Sequence, residues 1–254
     1  MDFHLTAHKG TRVHLLVSAA SAADAAAAVD GGADIVDAKD PRAGALGAVP
    51  DATLREIAAA VAGSRPLSAA LGDAADESAV ERAARGAAAA GAAYVKIGFA
   101  GVRDARRAAA LLGAAVRGAA EGGGACVIAV AYADAGRVAA LDPLTVVEAA
   151  ACAGAHGALL DTARKEHGGL FALRSRGELA AWVAEARAAS LLVALAGRLS
   201  SGDLVAVREL GADIAGVRGA ACVGGRGGRV SAALVRELRA RCAPREAGLV
   251  PLPA

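Results

Sequence analysis

The stretch LLVSAASAADAAAAVDGGADIVDAKD, residues 15–40, shows the unit from which the fold is built. Its two ends are short runs rich in Val, Ile, Leu and Ala, which predict β-strands over Val13–Ser18 and Ala33–Lys39. The Ala-rich amphipathic stretch between them predicts a helix over Ala22–Gly31. A strand, a helix and a second strand in this order are typical of proteins with parallel sheets.

The same unit recurs along the chain. Six further strands are predicted at Pro66–Leu71, Tyr94–Gly98, Val127–Tyr132, Gly157–Asp161, Leu191–Ala196 and Ile214–Val217. Seven further helices are predicted at Ala52–Ala62, Ala79–Ala90, Asp104–Gly118, Pro143–Ala153, Ser175–Ala189, Ser201–Leu210 and Ser231–Cys242, and several begin at Ser or Asp, as N-caps do.

Eight strands that alternate with eight helices favour an α/β fold, a closed (β/α)₈ TIM barrel. A doubly wound open sheet would show a similar alternation, but no GxGxxG motif follows the first strand. We therefore predict a single catalytic domain over residues 12–243, with peripheral tails at residues 1–11 and 244–254.

Composition favours a small-molecule partner. The net charge is only +2 and shows no basic stripe, so we expect no nucleic-acid partner. Charged residues or glycines interrupt every apolar run, so we expect no membrane partner and a cytoplasmic location. The four cysteines and five histidines are scattered without metal-ligand spacing, which predicts no metal site. The sequence leaves open whether the chain forms a homo-oligomer.

Lysine is scarce in this chain. Only four of the 28 basic residues are lysines, and Asn and Gln are absent, a bias typical of GC-rich genomes. Surface Lys is readily exchanged for Arg, whereas an amine that must lose its proton or form an imine cannot be replaced by a guanidinium. A lysine retained against this bias is therefore a candidate catalytic residue.

Three of the four lysines follow or lie within predicted strands, at the end where a barrel carries its active site. Strand alternation places Asp37 and Lys39 on one face, although an isolated Asp-x-Lys at a strand end is usually an exposed ion pair. Lys96 lies inside an apolar strand, where burial is costly unless the side chain faces a polar cavity. Asp161 ends the sixth strand, and Lys165 lies just beyond it.

These amines and carboxylates indicate carbonyl chemistry. Neighbouring ammonium groups lower one another's pKa, so that one amine becomes neutral and nucleophilic near neutral pH. A neutral lysine attacks an aldehyde to form an imine, and a second lysine or an aspartate can move the adjacent proton.

The last two strands end in small residues that suit phosphate binding. Gly197, Gly216 and Gly219 would let backbone N–H groups approach an anion closely, and Arg218 would add positive charge. Glycine-rich connections are common in such barrels, so each of these residues could instead serve only the turn.

Six segments together resemble one known family: LLVSAASAADAAAAVDGGADIVDAKDPRAGALGA (15–48), AAYVKIGFAGV (92–102), AYADAGRVAALDP (131–143), ALLDTARK (158–165), LVALAG (192–197) and DIAGVRGAAC (213–222). The family is that of (5-formylfuran-3-yl)methyl phosphate synthase, also called 4-(hydroxymethyl)-2-furancarboxaldehyde-phosphate synthase. The resemblance extends from about Leu15 to Cys242, with the segments in the family's order.

The resemblance implies a TIM-barrel lyase of methanofuran biosynthesis that needs no redox cofactor. Such an enzyme condenses two molecules of glyceraldehyde 3-phosphate into a phosphorylated furan aldehyde, with loss of phosphate and water. It also implies that Lys39 forms the Schiff base, that Lys96 accepts the proton, and that Asp37, Asp161 and Lys165 support them.

Two alternatives remain at this point. The first is a Schiff-base aldolase of another phosphorylated-sugar pathway, and the second is a non-catalytic barrel that binds a phosphometabolite. One departure from the family pattern concerns Asp40, which stands where family members commonly have Asn. Its extra carboxylate would either tune the neighbouring Lys39 amine or only reflect the loss of Asn from the composition.

Overall fold

Eight parallel strands close into a barrel in sequence order, and the last strand pairs with the first. The strands are β1 (His14–Ala19), β2 (Ile35–Ala38), β3 (Leu67–Asp73), β4 (Tyr94–Gly98), β5 (Cys126–Tyr132), β6 (Gly157–Asp161), β7 (Leu192–Leu195) and β8 (Ile214–Val217). The computed structural model describes residues 12–74 and 76–243. The single-domain TIM barrel is confirmed, whereas the predicted tails at 1–11 and 244–254 lie outside the described residues.

Helices follow the strands and pack on the outside of the barrel. They are α1 (Ala22–Asp30), α2 (Asp51–Val61), α3 (Glu77–Ala89), α4 (Ala105–Gly122), α5 (Pro143–Cys152), α6 (Leu170–Leu173), α7 (Arg176–Ala188), α8 (Asp203–Glu209) and α9 (Ala232–Cys242). Ser and Asp side chains accept N–H bonds at several helix N-termini, as predicted for Asp104, Ser175 and Ser231. The full set is Ser21, Asp76, Asp104, Asp142, Ser175 and Ser231.

Helix α4 continues beyond its predicted end at Gly118 to Gly122. The reason is close packing against α3. A Cβ atom built on Gly118 would lie 2.1 Å from the carbonyl oxygen of Glu81, and one on Gly122 would lie 2.3 Å from that of Arg85. Both glycines therefore allow the two helices to approach, and Gly118 does not end the helix.

The connection from β8 to α9 contains more secondary structure than predicted. It contains two short 3₁₀ helices, Gly219–Ala221 and Gly225–Gly227, and an antiparallel pair of two-residue strands, β9 (Cys222–Val223) and β10 (Arg229–Val230). None of these elements was predicted, since the segment VGGRGGR carries no hydrophobic periodicity. Among the described residues, no helix is both long and apolar enough to cross a membrane.

The inward-facing side chains of the barrel form two layers. The lower layer is an apolar cluster separate from the core between barrel and helices, and it includes Leu16, Ile35, Tyr94, Ile128, Leu159 and Ile214. Side chains two positions further along a strand point the same way and lie nearer the carboxyl end. On β1, β2, β4 and β6 these positions hold polar residues: Ser18, Asp37, Lys96 and Asp161. The alternation of the strands thus places a polar layer above an apolar floor.

Candidate active site

A cavity of about 560 Å³ extends from the loops after the strands down to the apolar floor of the barrel. Eight of the nine residues that the sequence marked as site candidates line it: Lys39, Lys96, Asp161, Lys165, Gly197, Gly216, Arg218 and Gly219. The ninth, Asp37, is fully buried and contacts Lys96. The candidates therefore meet at one place, although they come from five different strands or strand-end loops.

Lys96 and Asp37 form a buried ion pair across β2 and β4. The Nζ atom of Lys96 lies 2.7 Å from Oδ2 of Asp37, and the Ser18 hydroxyl donates to the same oxygen at 3.0 Å. Burial alone would raise the pKa of Asp37, but the ammonium groups of Lys96 and Lys39 and these hydrogen bonds hold that pKa below its ordinary value. Asp37 is thus a carboxylate that fixes the position of the Lys96 amine.

Lys165 and Asp161 form a second ion pair on the opposite side of the cavity. The Nζ atom of Lys165 lies 2.7 Å from Oδ1 of Asp161, and it also donates to the side-chain oxygen of Thr162 at 3.1 Å. The backbone N–H of Thr162 donates to Asp161 at 2.7 Å. Burial would raise the pKa of Asp161, whereas Lys165, Lys39 and these hydrogen bonds together lower it.

Asp134 holds the loop that carries Lys165. Its two carboxylate oxygens accept the backbone N–H groups of Ala163 and Arg164 at 2.7 and 2.8 Å. Asp134 lies just after β5, so it links the ends of β5 and β6. Asp134 also precedes the 3₁₀ helix Ala135–Arg137, but its side chain makes no cap hydrogen bond there, so its role is to hold the loop.

Lys39 differs from Lys96 and Lys165 because its amine has no partner in the part of the chain that the structure describes. Its residue is 8% exposed, and among the described residues no hydrogen bond or ion pair to Nζ is present. Burial and the neighbouring ammonium of Lys96 lower the pKa of Lys39 to about 8, although Asp161 and Asp37 oppose the shift. An amine with this pKa is partly neutral at physiological pH and is able to attack a carbonyl carbon.

Gly197 and Arg218 occupy different environments at the carboxyl ends of β7 and β8. Gly197 has φ of 108°, and a Cβ atom there would lie 2.8 Å from the Thr162 side chain, so the turn requires glycine. Arg218 lies beside the cavity, but its nitrogens donate to the carboxylate of Asp24 at 2.7 Å and to backbone carbonyls that include Ser18. It therefore anchors the β8 loop to α1, a role that its sequence position did not indicate.

Several polar residues of the cavity were not selected from the sequence, among them Ser68, Arg198 and Arg226. Ser68 is an inward-facing residue of β3, and its buried hydroxyl has no hydrogen-bond partner among the described residues. A serine inside an otherwise apolar strand was a visible signal. Arg226 lies in a glycine-rich connection that carried no signal at all.

Asp40 caps the 3₁₀ helix Pro41–Ala43 that follows β2. It accepts the backbone N–H of Arg42 at 2.9 Å and pairs with the guanidinium of the same residue. These hydrogen bonds lower the pKa of Asp40. The carboxylate is therefore engaged with Arg42 and is directed to the loop. Asn would offer one oxygen for the same cap.

Comparison with known proteins gives a consistent family. A family model described as 4-HFC-P synthase matches residues 15–239. The chain is 42% identical over 231 residues to (5-formylfuran-3-yl)methyl phosphate synthase of Methanopyrus kandleri, with 89% of this chain and 98% of that protein covered. It is 40% identical over 228 residues to the protein of the same name from Methanothermobacter thermautotrophicus, with 89% and 97% covered.

Among solved structures, the chain resembles 3-hexulose-6-phosphate synthase. The TM-score is 0.64 at 23% sequence identity, with 91% of this chain and 100% of that chain covered. A likeness at this level of identity supports the barrel fold.

Proposed function

The chain belongs to the 4-HFC-P synthase family, and from that membership we propose that it makes (5-formylfuran-3-yl)methyl phosphate from two molecules of glyceraldehyde 3-phosphate through an imine on Lys39. Two curated relatives of about this length carry the product in their names. A lyase that makes this product would suit a site with three lysines and two aspartates around one cavity.

The observation that carries the proposal is the difference between the three lysines. Lys96 and Lys165 each have an aspartate within ion-pair distance, whereas the described part of the chain provides no such partner for the Lys39 amine. Pairing stabilises an ammonium ion, and burial without a partner favours the neutral amine. Lys39 is therefore the lysine prepared to attack an aldehyde.

The proposed reaction balances without an oxidant or a reductant. The Lys39 amine adds to the aldehyde carbon of one substrate and expels water, which gives the imine. The imine acidifies the adjacent carbon, and loss of its proton expels phosphate from the third carbon, which leaves an enol whose terminal carbon is nucleophilic. The second substrate moves its carbonyl from the first to the second carbon by proton transfer, and the enol carbon bonds to this ketone carbon. Attack of the second substrate's free hydroxyl on the new ketone closes the ring, and loss of two waters and hydrolysis of the imine release the furan. Two C₃ units thus give one C₆ product, one phosphate and two waters overall.

The two ion pairs serve proton transfer in this scheme. Lys96 is held beside Lys39 by Asp37, so we assign it the transfer of the proton next to the imine carbon. Lys165, held by Asp161 and the Thr162 hydroxyl, lies at the cavity wall where it can protonate a departing oxygen. Both aspartates are positioning residues in this assignment.

The test supplies purified protein with glyceraldehyde 3-phosphate alone. We expect a furan chromophore and a product with the mass of the phosphorylated furan aldehyde. Borohydride reduction during turnover should add mass to the peptide that contains Lys39. Lys39→Arg keeps the charge but cannot form the imine, so it should lose both turnover and labelling while circular dichroism stays unchanged.

Two results would contradict the proposal. A label on Lys96 or Lys165 would place the imine on the wrong lysine. A six-carbon product without a furan ring would instead identify an aldolase.

A further inference from the structure

The positively charged side chains around the cavity differ in whether a carboxylate pairs with them. Lys96 and Lys165 are paired with aspartates of the site, and Arg218 is paired with Asp24 outside it. Within residues 12–74 and 76–243, Arg198 and Arg226 line the cavity without a carboxylate partner. A phosphate monoester brings about two negative charges and needs positively charged donors that are still free.

Of these two arginines, Arg226 is the better placed to bind an anion. Arg198 is exposed at the rim, where water solvates its charge, whereas Arg226 is half-buried. Burial lowers the pKa of Arg226, and the carboxylate of Asp161 partly opposes the shift. The guanidinium therefore lies in a partly desolvated position within electrostatic reach of the catalytic centre, where an unpaired charge is unfavourable until an anion joins it.

A hydrogen bond to the backbone of another loop holds the Arg226 side chain across the mouth of the cavity. It lies on the 3₁₀ helix Gly225–Gly227 after β8, and its Nη2 atom donates to the carbonyl oxygen of Gly44 at 2.8 Å. Gly44 follows the 3₁₀ helix Pro41–Ala43 in the loop that begins at Lys39. The side chain thus spans from the β8 loop to the β2 loop. Only one of its five N–H donors is used by this bond, so donors remain for a ligand.

We propose that Arg226 binds the phosphate group of a triose phosphate substrate in this cavity. The proposal rests on the proposed function, since it takes the substrate to be a phosphate monoester. A guanidinium matches two phosphate oxygens with two parallel N–H bonds, so it fixes orientation as well as charge. Gly219 and Gly225 line the cavity beside Arg226 and leave room for the anion.

This assignment differs from the one suggested by sequence position. Arg218 lies directly after β8, where TIM barrels often bind phosphate, but its guanidinium is engaged by Asp24 and by backbone carbonyls. Arg226 lies eight residues later and is brought back to the cavity by the β9–β10 hairpin. The hairpin therefore has a function, which is to return a cation to the site.

The test measures binding without turnover. Glycerol 3-phosphate, a phosphate monoester that lacks the aldehyde, is titrated into wild type, Arg226→Gln, Arg226→Lys and Arg229→Gln by calorimetry. Arg229 is an exposed arginine of the same hairpin and does not line the cavity, so it is the matched control. We expect Arg226→Gln to raise Kd by about 10- to 100-fold, as the loss of a charge-assisted pair of hydrogen bonds does. Arg226→Lys should lie between, and Arg229→Gln should match wild type.

A purely structural role for Arg226 predicts a different pattern. If Arg226 only ties the two loops together, Arg226→Gln lowers the melting temperature of the ligand-free protein, and glycerol 3-phosphate still raises it as in wild type. Our proposal expects a similar melting temperature without ligand and a smaller increase with it. Equal Kd for wild type and Arg226→Gln would overturn the proposal, as would equal losses in the two glutamine variants or no binding by wild type.

Failure of this inference and failure of the proposed function are separable. A wild-type protein that binds glycerol 3-phosphate through Arg226 but forms no furan would retain the phosphate site and refute the reaction. A protein that forms the furan while Arg226→Gln binds normally would retain the reaction and refute the site.

Discussion

Lys96→Met should make Lys39 less reactive at neutral pH by raising its pKa. At a pKa of about 8, roughly 10% of the Lys39 amine is neutral at pH 7. A lysine with the ordinary value of 10.5 would be only about 0.03% neutral, roughly 300-fold less. Lys96→Met removes the adjacent ammonium and frees the Asp37 carboxylate, and both changes raise the pKa of Lys39. A neighbouring charge at this range shifts a pKa by about 1–3 units, so labelling at pH 7 should fall at least about tenfold.

The matched variant is Lys96→Arg, which keeps a positive charge beside Lys39. Its pH profile should keep a midpoint near 8, although turnover should fall by about 10²–10⁴-fold because a guanidinium cannot carry the proton. The assay traps the imine with glyceraldehyde and cyanoborohydride from pH 6 to 10 and measures the labelled Lys39 peptide by mass spectrometry, with circular dichroism as a folding control. The reasoning is refuted if Lys96→Met keeps the wild-type midpoint, or if wild type itself titrates near 10.5.

Two further predictions concern stability and the loop after β6. The folded-state pKa of Lys39 lies below its ordinary value, so its ammonium destabilises the fold below about pH 8, and this cost disappears as the pH rises towards 10.5. Lys39→Met should therefore increase the free energy of unfolding at pH 7 by about 1–3 kcal/mol in urea titrations, with a smaller gain at pH 10; a loss at pH 7 would contradict the burial argument. Asp134→Asn replaces one acceptor of the Ala163 and Arg164 N–H groups with a donor, so turnover should fall by about tenfold while Lys39 labelling persists. Asp142→Asn is its control, because Asn also caps a helix, and equal turnover in both variants would exclude the loop role.

The barrel was predictable from the sequence because its signal is local and repeated. β4, β6 and β8 begin and end at the predicted residues, since each is a short run made mostly of apolar residues. The end of α4 was not predictable, because Gly118 is needed for contact with Glu81 on α3, a residue 37 positions earlier in the chain. A glycine that permits helix packing and a glycine that ends a helix look the same in one sequence.

Most residues that line the site could be predicted from the sequence because of a general property of parallel barrels. Their carboxyl ends converge, so residues such as Lys39, Lys96 and Asp161 meet whatever their separation in sequence. The direction in which each side chain points could not be predicted from the sequence. Arg218 contacts Asp24, which lies 194 residues away in the sequence. Arg226 reaches the cavity because of the β9–β10 hairpin, which no hydrophobic periodicity predicts. Both depend on tertiary contacts in irregular loops, where sequence patterns carry little information.

Lys39 is assigned as the nucleophile because of an arrangement of ion pairs that differs from the one the sequence pattern predicts. Asp37 and Lys39 are two residues apart on one strand face, so the ordinary expectation is an ion pair between them, which would stabilise the ammonium and suppress its reactivity. The structure instead gives Asp37 to Lys96, with 2.7 Å between Oδ2 and Nζ, and gives Asp161 to Lys165 at the same distance. Lys39 is then a buried amine between two pairs that are each close to neutral. Because the carboxylates neutralise its neighbours and make no close contact with its own Nζ, burial and the Lys96 charge prevail, and the pKa falls to about 8. The roles of the three lysines thus follow from which amine each aspartate holds.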